Sequence, residues 1–123
     1  MPFAELLGLE IIQADNEEVR ARMPWRDELC TSGGVMHGGA LMALADSIGA
    51  MLAFSHLPEG AAGTATLSST TNFLGAVRRG PVEATARLLH RGRTTIVVET
   101  DLVDARGRRV ARVTQTQVVL GPR

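Results

Sequence analysis

The sequence predicts an α+β domain in which one long helix packs on an antiparallel β-sheet. One segment, residues 37–54, has helical composition over its whole length and lacks internal Pro. Four strand-like segments follow it, separated by turn-forming residues, and two shorter ones precede it. With 123 residues, the chain is the size of one domain, and we expect residues 1–123 to form a single unit.

The N-terminal region contains a short helix and two strands. Residues 2–7 are predicted to be helical because Pro2 suits a first helical turn and Gly8 suits a helix end. Strands are expected at residues 9–14 and 17–23, since apolar and charged residues alternate in the second of them. A loop rich in turn formers then leads to the long helix.

The long helix sorts its residues by size. Bulky residues at helical spacing predict a side that packs on the sheet: Leu41, Leu44, Ile48, Met51 and Leu52. Mostly small residues surround Asp46: Gly39, Met42, Ala43, Gly49, Ala50 and Ala53. A small-residue stripe lets another backbone approach closely, so we infer a second subunit there. The alternative is that these residues only relieve crowding inside one core.

The C-terminal half is predicted to be all strand. Pro58, Gly60 and Gly63 end the helical region. Four strands are then expected, at residues 64–74, 82–90, 94–103 and 110–120. Short turns link the last three, which predicts an antiparallel meander.

The charge pattern excludes several classes of function. All 13 basic residues are Arg, so lysine Schiff-base chemistry is excluded. The net charge is zero, and we expect no general attraction to nucleic acid or to an anionic membrane. Residues 1–61 hold nine acidic residues and three Arg, whereas residues 62–123 hold four and ten. The basic half is either a solvated surface or a partner for an anionic ligand.

Cysteine content and hydropathy indicate a cytoplasmic protein. Cys30 is the only cysteine, which excludes an internal disulfide and a cysteine zinc site. The first residues lack the pattern of a signal peptide. The apolar run 38–57 is nearly long enough to span a membrane, but Asp46 near its middle favours a buried helix of a soluble protein.

Asp46 and the start of the long helix are the candidate functional features. Asp46 is a carboxylate on an otherwise apolar helix, and it is either used in chemistry or bonded structurally to a neighbouring hydroxyl. His37-Gly38-Gly39 begins the helix, where backbone N–H groups lack partners inside the helix. Such groups, with the helix dipole, can polarise a carbonyl. The alternative for Gly38-Gly39 is a tight junction, and His37 alone is weak evidence.

The spacing of these features predicts a site shared by two chains. Gly38 and Asp46 are eight residues apart, or about 12 Å along a helix at ~1.5 Å per residue. That is too far for both to serve one reacting carbon within a single helix. Two antiparallel copies of the helix can bring Gly38 of one chain to Asp46 of the other, giving two equal sites in a dimer.

The segment 37–47, His-Gly-Gly-Ala-Leu-Met-Ala-Leu-Ala-Asp-Ser, resembles the signature of the hotdog-fold acyl-CoA thioesterases, with the phenylacetate-degradation type as the nearest subgroup. The resemblance covers roughly residues 3–120 and includes the run Asn72-Phe73-Leu74 leading to Gly80. It implies an antiparallel sheet wrapped around one long helix. It also implies homodimers that commonly form homotetramers, and hydrolysis of an acyl-CoA with a phenylacetyl- or hydroxybenzoyl-type acyl group.

The resemblance assigns roles to matching positions. The Gly38 N–H would polarise the thioester carbonyl, and Asp46 of the partner chain would act as general base or nucleophile. His37 would shape the start of the helix near the thioester. Gly39 and Thr31 are expected to be substrate-binding, with Thr31 standing where relatives carry a longer Asn or Gln.

Two further sets of residues complete the predicted site. Thr66 and Ser68 are expected to share a strand face, from which one of them orients the attacking water. Arg91 and Arg93 flank a turn, and Arg78-Arg79 end a strand; each pair would meet coenzyme A phosphates or remain solvated. Coenzyme A is expected only as part of the substrate, with no separate cofactor.

Other chemistries find less support in the sequence. The three His residues are widely separated, so no metal site is expected, and no Gly-x-Ser-x-Gly elbow indicates a serine triad. A non-catalytic acyl-CoA-binding hotdog protein is the main alternative. A hotdog dehydratase acting on acyl-carrier-protein substrates is a third.

Overall fold

The computed structural model describes residues 1–122 and contains one six-stranded antiparallel sheet with a long helix across one face. In chain order the elements are α1 Pro2–Leu7, β1 Glu10–Ala14, β2 Glu18–Met23, a 3₁₀ turn Asp27–Leu29, α2 Gly38–Phe54, β3 Gly63–Phe73, β4 Val82–Arg91, β5 Thr95–Val103 and β6 Arg109–Leu120. The sheet order is β1-β2-β4-β5-β6-β3. The predicted fold class and meander are confirmed.

Helix α2 packs its bulky side on the sheet, as predicted. Leu44, Ile48 and Leu52 have no exposed surface, and Leu41 is nearly as buried. The small-residue prediction is wrong for Gly49 and Ala53, which lie in the chain's own core instead of on an open stripe. For Gly49 the physical reason is that the Gln115 side chain of β6 occupies the space that a Cβ would need.

The opposite side of α2 is open in the single chain. Gly39, Met42 and Asp46 are exposed there, and Ala43 and Ala50 are half-buried. No helix within residues 1–122 is long and apolar enough to cross a bilayer.

Strand β3 forms one edge of the sheet and pairs only with β6. A bulge interrupts its register at Leu67, so that Thr66 lies opposite Gln117 while Ser68 lies opposite Thr116. Adjacent residues of a strand point to opposite faces. The prediction that Thr66 and Ser68 share a face is therefore wrong, because the extra residue of the bulge reverses the alternation. Ser69, opposite Gln115, follows Thr66 on the helix-facing side.

The turn before β4 packs against the turn between β5 and β6, and Gly80 makes this contact possible. Gly80 has φ 78°, and a Cβ there would lie 2.9 Å from the Ala105 Cβ. We expect Gly80→Ala to lower the free energy of unfolding by about 1–3 kcal/mol through left-handed strain and overpacking. Urea denaturation measures it. Gly107→Ala is the matched control, since Gly107 has φ 80° and open space around it; an equal loss in both variants would mean that the contact contributes nothing.

Candidate active site

Asp46 lies at the centre of a hydrogen-bonded group that also contains Thr66, Gln115 and Gln117, which we term the Asp46 cluster. The Thr66 hydroxyl donates to Asp46 Oδ1 at 2.9 Å, and Gln115 Nε2 donates to the same oxygen at 3.3 Å. Gln117 Nε2 donates to Thr66 Oγ1 at 2.7 Å. Within residues 1–122, Asp46 Oδ2 has no hydrogen-bond partner. The bond to a hydroxyl is what a structural role predicts, and the free Oδ2 is what a catalytic role needs.

The two glutamines are absent from the predicted site residues. They occupy neighbouring inward positions of β6, and both are buried, at 1% and 0% exposure. The signal in the sequence is that two Gln residues occupy alternating positions of the last strand. Such positions share one face of the strand, and a face that packs on a core usually carries apolar residues.

The start of α2 presents one free backbone donor. His37 is the N-cap, and its Nδ1 accepts the Gly39 N–H at 2.8 Å. Because Nδ1 accepts, a neutral imidazole carries its proton on Nε2. No acceptor within residues 1–122 contacts the Gly38 N–H. Of the two glycines, Gly38 alone offers a free N–H at the positive end of the helix.

The Gly38 N–H and the Asp46 carboxylate lie near opposite ends of strand β3. A Cβ on Gly38 would lie 2.9 Å from Phe73 Cζ, which puts Gly38 beside the end of β3. Asp46 bonds to Thr66 nearer the start of β3. Helix α2 therefore runs antiparallel to β3. Within one chain the two candidate groups therefore lie apart, as their spacing along one helix predicts.

A mainly apolar cleft of about 520 Å³ lies between α1 and the start of α2. Its apolar lining comes from Phe3, Leu6, Leu7, Leu29, Ala40 and Ala43. His37 and Gly39 also line it, which places it at the Gly38 end of the helix.

Cys30 borders the same cleft but is a poor nucleophile. Burial, reinforced by the charges of Asp27 and Glu28, raises the pKa of the Cys30 thiol above its ordinary value. Its Sγ donates to the Arg26 carbonyl at 3.3 Å. The thiol therefore stays protonated at neutral pH, and the carboxylate of Asp46 is the better candidate for chemistry.

Thr31 is not brought to the other candidates. It lies in the loop before α2, where its N–H donates to the Val35 carbonyl at 2.7 Å. Its side chain makes no hydrogen bond to His37, Gly38 or Asp46 within the single chain. The substrate-binding role expected for Thr31 stays a prediction.

The predicted arginine pairs lie at opposite ends of the sheet. Arg91 and Arg93 flank the β4–β5 hairpin, where Arg91 Nε donates to the His56 carbonyl at 3.2 Å. Arg78 and Arg79 line a cleft of about 860 Å³ together with Arg106 from the β5–β6 turn. Sequence analysis did not join Arg106 to this group.

The cleft that holds Arg78, Arg79 and Arg106 carries unbalanced positive charge. Of its other arginines, Arg108 is paired with Asp104 at 3.1 Å and Arg109 with Asp101 at 3.1 Å. Arg78, Arg79 and Arg106 have no carboxylate partner in the described residues. Residues 1–122 also contain no grouping of three or more His, Cys, Asp or Glu side chains arranged to hold a metal ion.

Comparison with known proteins identifies the family. Residues 33–111 match the sequence profile of the thioesterase superfamily. The chain is 36% identical over 115 residues to Rv1847 of Mycobacterium tuberculosis, a match that covers 87% of this chain and 82% of that protein. The Rv1847 structure superposes with a TM-score of 0.95, at 32% identity, over 100% of this chain and 99% of that one.

Two solved structures named as thioesterases are also similar. Thioesterase PA1618 of Pseudomonas aeruginosa has a TM-score of 0.91 at 31% identity, covering 96% of this chain and 85% of that chain. A hypothetical thioesterase of Streptococcus pneumoniae, solved with coenzyme A, has a TM-score of 0.83 at 29% identity, covering 94% and 88%. The fold is the hotdog thioesterase fold, and this chain belongs to the thioesterase superfamily.

Proposed function

We propose that this protein hydrolyses acyl-CoA thioesters at sites shared by two copies of the chain. The observation that carries the proposal is the pair of complementary half-sites on one helix. One is a free N–H on Gly38, and the other is a carboxylate, Asp46, with one oxygen held and the other free. Superfamily membership supports thioester hydrolysis, and the S. pneumoniae structure with coenzyme A supports a CoA substrate.

The edge strand β3 supplies the surface on which the second copy would dock. Charged residues and Pro usually protect an exposed sheet edge from pairing with another chain. The eleven residues of β3 contain neither. Leu67, Phe73 and Leu74 are 66%, 52% and 59% exposed in the single chain. A second β3 pairing antiparallel with the first would cover this edge and these side chains.

Such pairing would also join the two half-sites. Gly38 lies beside Phe73 and Asp46 lies beside Thr66. In a two-fold pairing centred near Ser69, residue 66 of one copy lies across from residue 73 of the other. Asp46 of each chain then approaches Gly38 of its partner, and two equal sites result. Further pairing of dimers into a homotetramer remains part of the proposal.

The chemistry at each composite site is a hydrolysis without a bound cofactor. The Gly38 N–H binds the thioester oxygen and stabilises the negative charge that develops on it. Water attacks the carbonyl carbon, Asp46 Oδ2 takes its proton, the C–S bond breaks, and the CoA thiolate leaves and is protonated. In the alternative route Asp46 attacks the carbonyl carbon, the C–S bond breaks and the CoA thiolate leaves, and water then hydrolyses the resulting anhydride to the free acid and the Asp46 carboxylate. His37 holds Gly39, and its Nε2 side is free to face the thioester.

The two clefts fit the two ends of an acyl-CoA. The 520 Å³ apolar cleft is within the usual size range of a ligand pocket and suits an apolar acyl group, including phenylacetyl and hydroxybenzoyl. The Arg78–Arg79 cleft suits phosphates. In the two-fold pairing, this end of one chain lies beside the Arg91 and Arg93 end of its partner. Both arginine pairs thus remain candidates for the CoA phosphates.

An arginine variant separates these candidates. We expect Arg78→Ala combined with Arg79→Ala to raise KM for acyl-CoA about tenfold or more, because charged hydrogen bonds to phosphate contribute roughly 1.5–3 kcal/mol each. KM for the matching acyl-pantetheine, which lacks the nucleotide phosphates, stays unchanged. Steady-state thiol release measures both constants. Arg91→Ala with Arg93→Ala is the comparison; if only that pair raises KM, the Arg78–Arg79 cleft is not the phosphate site.

A substrate panel tests the proposed function. Thiol release is followed with phenylacetyl-, hydroxybenzoyl-, and short- and long-chain acyl-CoA, and the oligomeric state is measured by sedimentation equilibrium. We expect turnover of at least one substrate class by a dimer or tetramer. Acyl-CoA binding without turnover of any member would instead support the non-catalytic acyl-CoA-binding protein. Turnover of a hydroxyacyl-carrier-protein substrate to the enoyl product would support the dehydratase.

A further inference from the structure

Two buried amides stand behind the carboxylate of Asp46. Gln115 and Gln117 are 1% and 0% exposed, and each donates an N–H toward the Asp46 cluster. Their own carbonyl oxygens, Gln115 Oε1 and Gln117 Oε1, are buried and have no hydrogen-bond partner among the described residues. A buried polar atom without a partner destabilises a fold. Apolar residues would serve the core better at both positions.

The donors converge on one oxygen of the carboxylate. Gln117 donates to the Thr66 oxygen, which leaves the Thr66 hydroxyl hydrogen to point at Asp46 Oδ1. Gln115 donates to the same Oδ1. Two bonds to Oδ1 fix the rotation of the carboxylate and direct Oδ2 away from the cluster. The Gln117 amide, which does not touch Asp46, sets the direction of the Thr66 hydroxyl.

Helix α2 makes room for this arrangement. A Cβ on Gly49 would lie 2.1 Å from Gln115 Oε1 and 2.6 Å from its Cδ. Gly49 is three residues after Asp46 and lies on the same side of the helix, so the Gln115 amide packs on the helix about one turn from the carboxylate. Only a residue without a side chain leaves the Gln115 amide within reach of Asp46.

We propose that Gln115 and Gln117 are positioning residues that hold Asp46 Oδ1, directly and through Thr66, so that Oδ2 faces the reacting carbonyl. This proposal rests on the proposed function, because it assigns the orientation of the same carboxylate. It accounts for two features that packing does not explain, namely unpaired amide carbonyls in the core and a glycine inside a helix.

Kinetics of Gln117→Met and Gln115→Met test the proposal. Each substitution keeps side-chain length and removes the donor. We expect kcat to fall about 10- to 100-fold with KM nearly unchanged, as small misplacements of a reacting group do. The midpoint of thermal unfolding should hold or rise, since each variant removes an unpaired buried carbonyl. In an Asp46→Asn background neither variant should lower kcat further.

A control and a second variant keep the test independent of folding. Thr100 on β5 is also fully buried with an unpaired hydroxyl but is outside the cluster, so Thr100→Val should leave kcat unchanged. Gly49→Ala displaces the Gln115 amide without altering the cluster residues and should reproduce the Gln115→Met loss. If Gln117→Met and Gln115→Met lower kcat only in proportion to folded protein, or leave it unchanged, the proposal is overturned.

Nuclear magnetic resonance separates this proposal from the proposed function. The side-chain amide signals of Gln115 and Gln117 are assigned from the two Met variants. Asp46→Ala, which removes both carboxylate oxygens, should move the Gln115 signal strongly and the Gln117 signal more weakly, through Thr66. This readout needs no substrate. Unmoved amide signals overturn the positioning role even in an active enzyme, whereas moved signals in a protein that hydrolyses nothing would refute the thioesterase and leave the contact network standing.

Discussion

Asp46→Asn is expected to lower kcat for the best acyl-CoA substrate by about 10²- to 10⁴-fold, the usual contribution of a general base. The amide has the shape of the carboxylate, and its oxygen can still accept from Thr66 and Gln115. It cannot accept the proton of the attacking water, and it is a far weaker nucleophile. Thiol-release kinetics under saturating substrate measure the loss.

The control for this prediction is a variant that removes one negative charge at another position. Asp27 is an exposed carboxylate in the 3₁₀ turn before α2, and Asp27→Asn should retain wild-type kcat. Binding of a non-hydrolysable acyl-CoA thioether should survive in Asp46→Asn, because the loss concerns the reaction step. Hydrolysis by Asp46→Asn at the wild-type rate would contradict both routes proposed for the carboxylate.

Most of the fold could be predicted from the sequence, because its helices, strands and turns differ in amino-acid composition. Each observed boundary of a predicted helix or strand lies within one residue of the prediction. Pro2 and Gly8 bracket α1, and Gly80 and Gly107 interrupt the strands where positive φ is required. Strong local signals of this kind need no knowledge of tertiary contacts.

For strand β3 the sequence did not predict which residues share a face. It consists mainly of Ser and Thr, so no apolar alternation fixes which side each residue faces. The bulge at Leu67, which puts Ser68 on the far side from Thr66, comes from pairing with β6 and leaves no local mark.

The glutamines of β6 were missed for a related reason. Thr114, Gln115, Thr116 and Gln117 are all polar, so period-two reading cannot tell the buried side from the other. Their role depends on Gly49 and Asp46, more than sixty residues earlier, which only the packed structure brings to them. By contrast, Gly38 and Asp46 share one helix, and the fixed rise of a helix made their separation predictable.

The second prediction with a large expected effect tests whether each active site is shared by two chains. Gly38→Pro removes the free N–H while suiting the helix, because Pro is favoured at the first helical position and His37 has ψ 135°, which a following Pro accepts. We expect kcat to fall about 10²- to 10³-fold, as for loss of an oxyanion donor. Gly38→Ala keeps the N–H and makes the same contact with Phe73. Comparing the two variants therefore separates the effect of losing the N–H donor from the effect of the contact with Phe73.

Heterodimers then decide where each site is built. Asp46→Asn and Gly38→Pro chains are co-expressed with different affinity tags, and mixed dimers are isolated through both tags. In shared sites one site carries both changes and the other carries neither. We expect this dimer to regain about half of wild-type activity per dimer, although each parent is nearly inactive.

The reciprocal heterodimer gives the opposite outcome for the same reason. One chain is wild type, and its partner carries both Asp46→Asn and Gly38→Pro. If each site combines Asp46 of one chain with Gly38 of the other, both sites are broken and this dimer is inactive. If each chain carried a complete site, it would keep about half the activity, and the first heterodimer would be inactive. The two dimers contain the same number of each substitution, so only their arrangement between chains differs. That reversed result, or a protein that remains monomeric while fully active, would end the two-chain site and leave Gly38 and Asp46 to be explained within one chain.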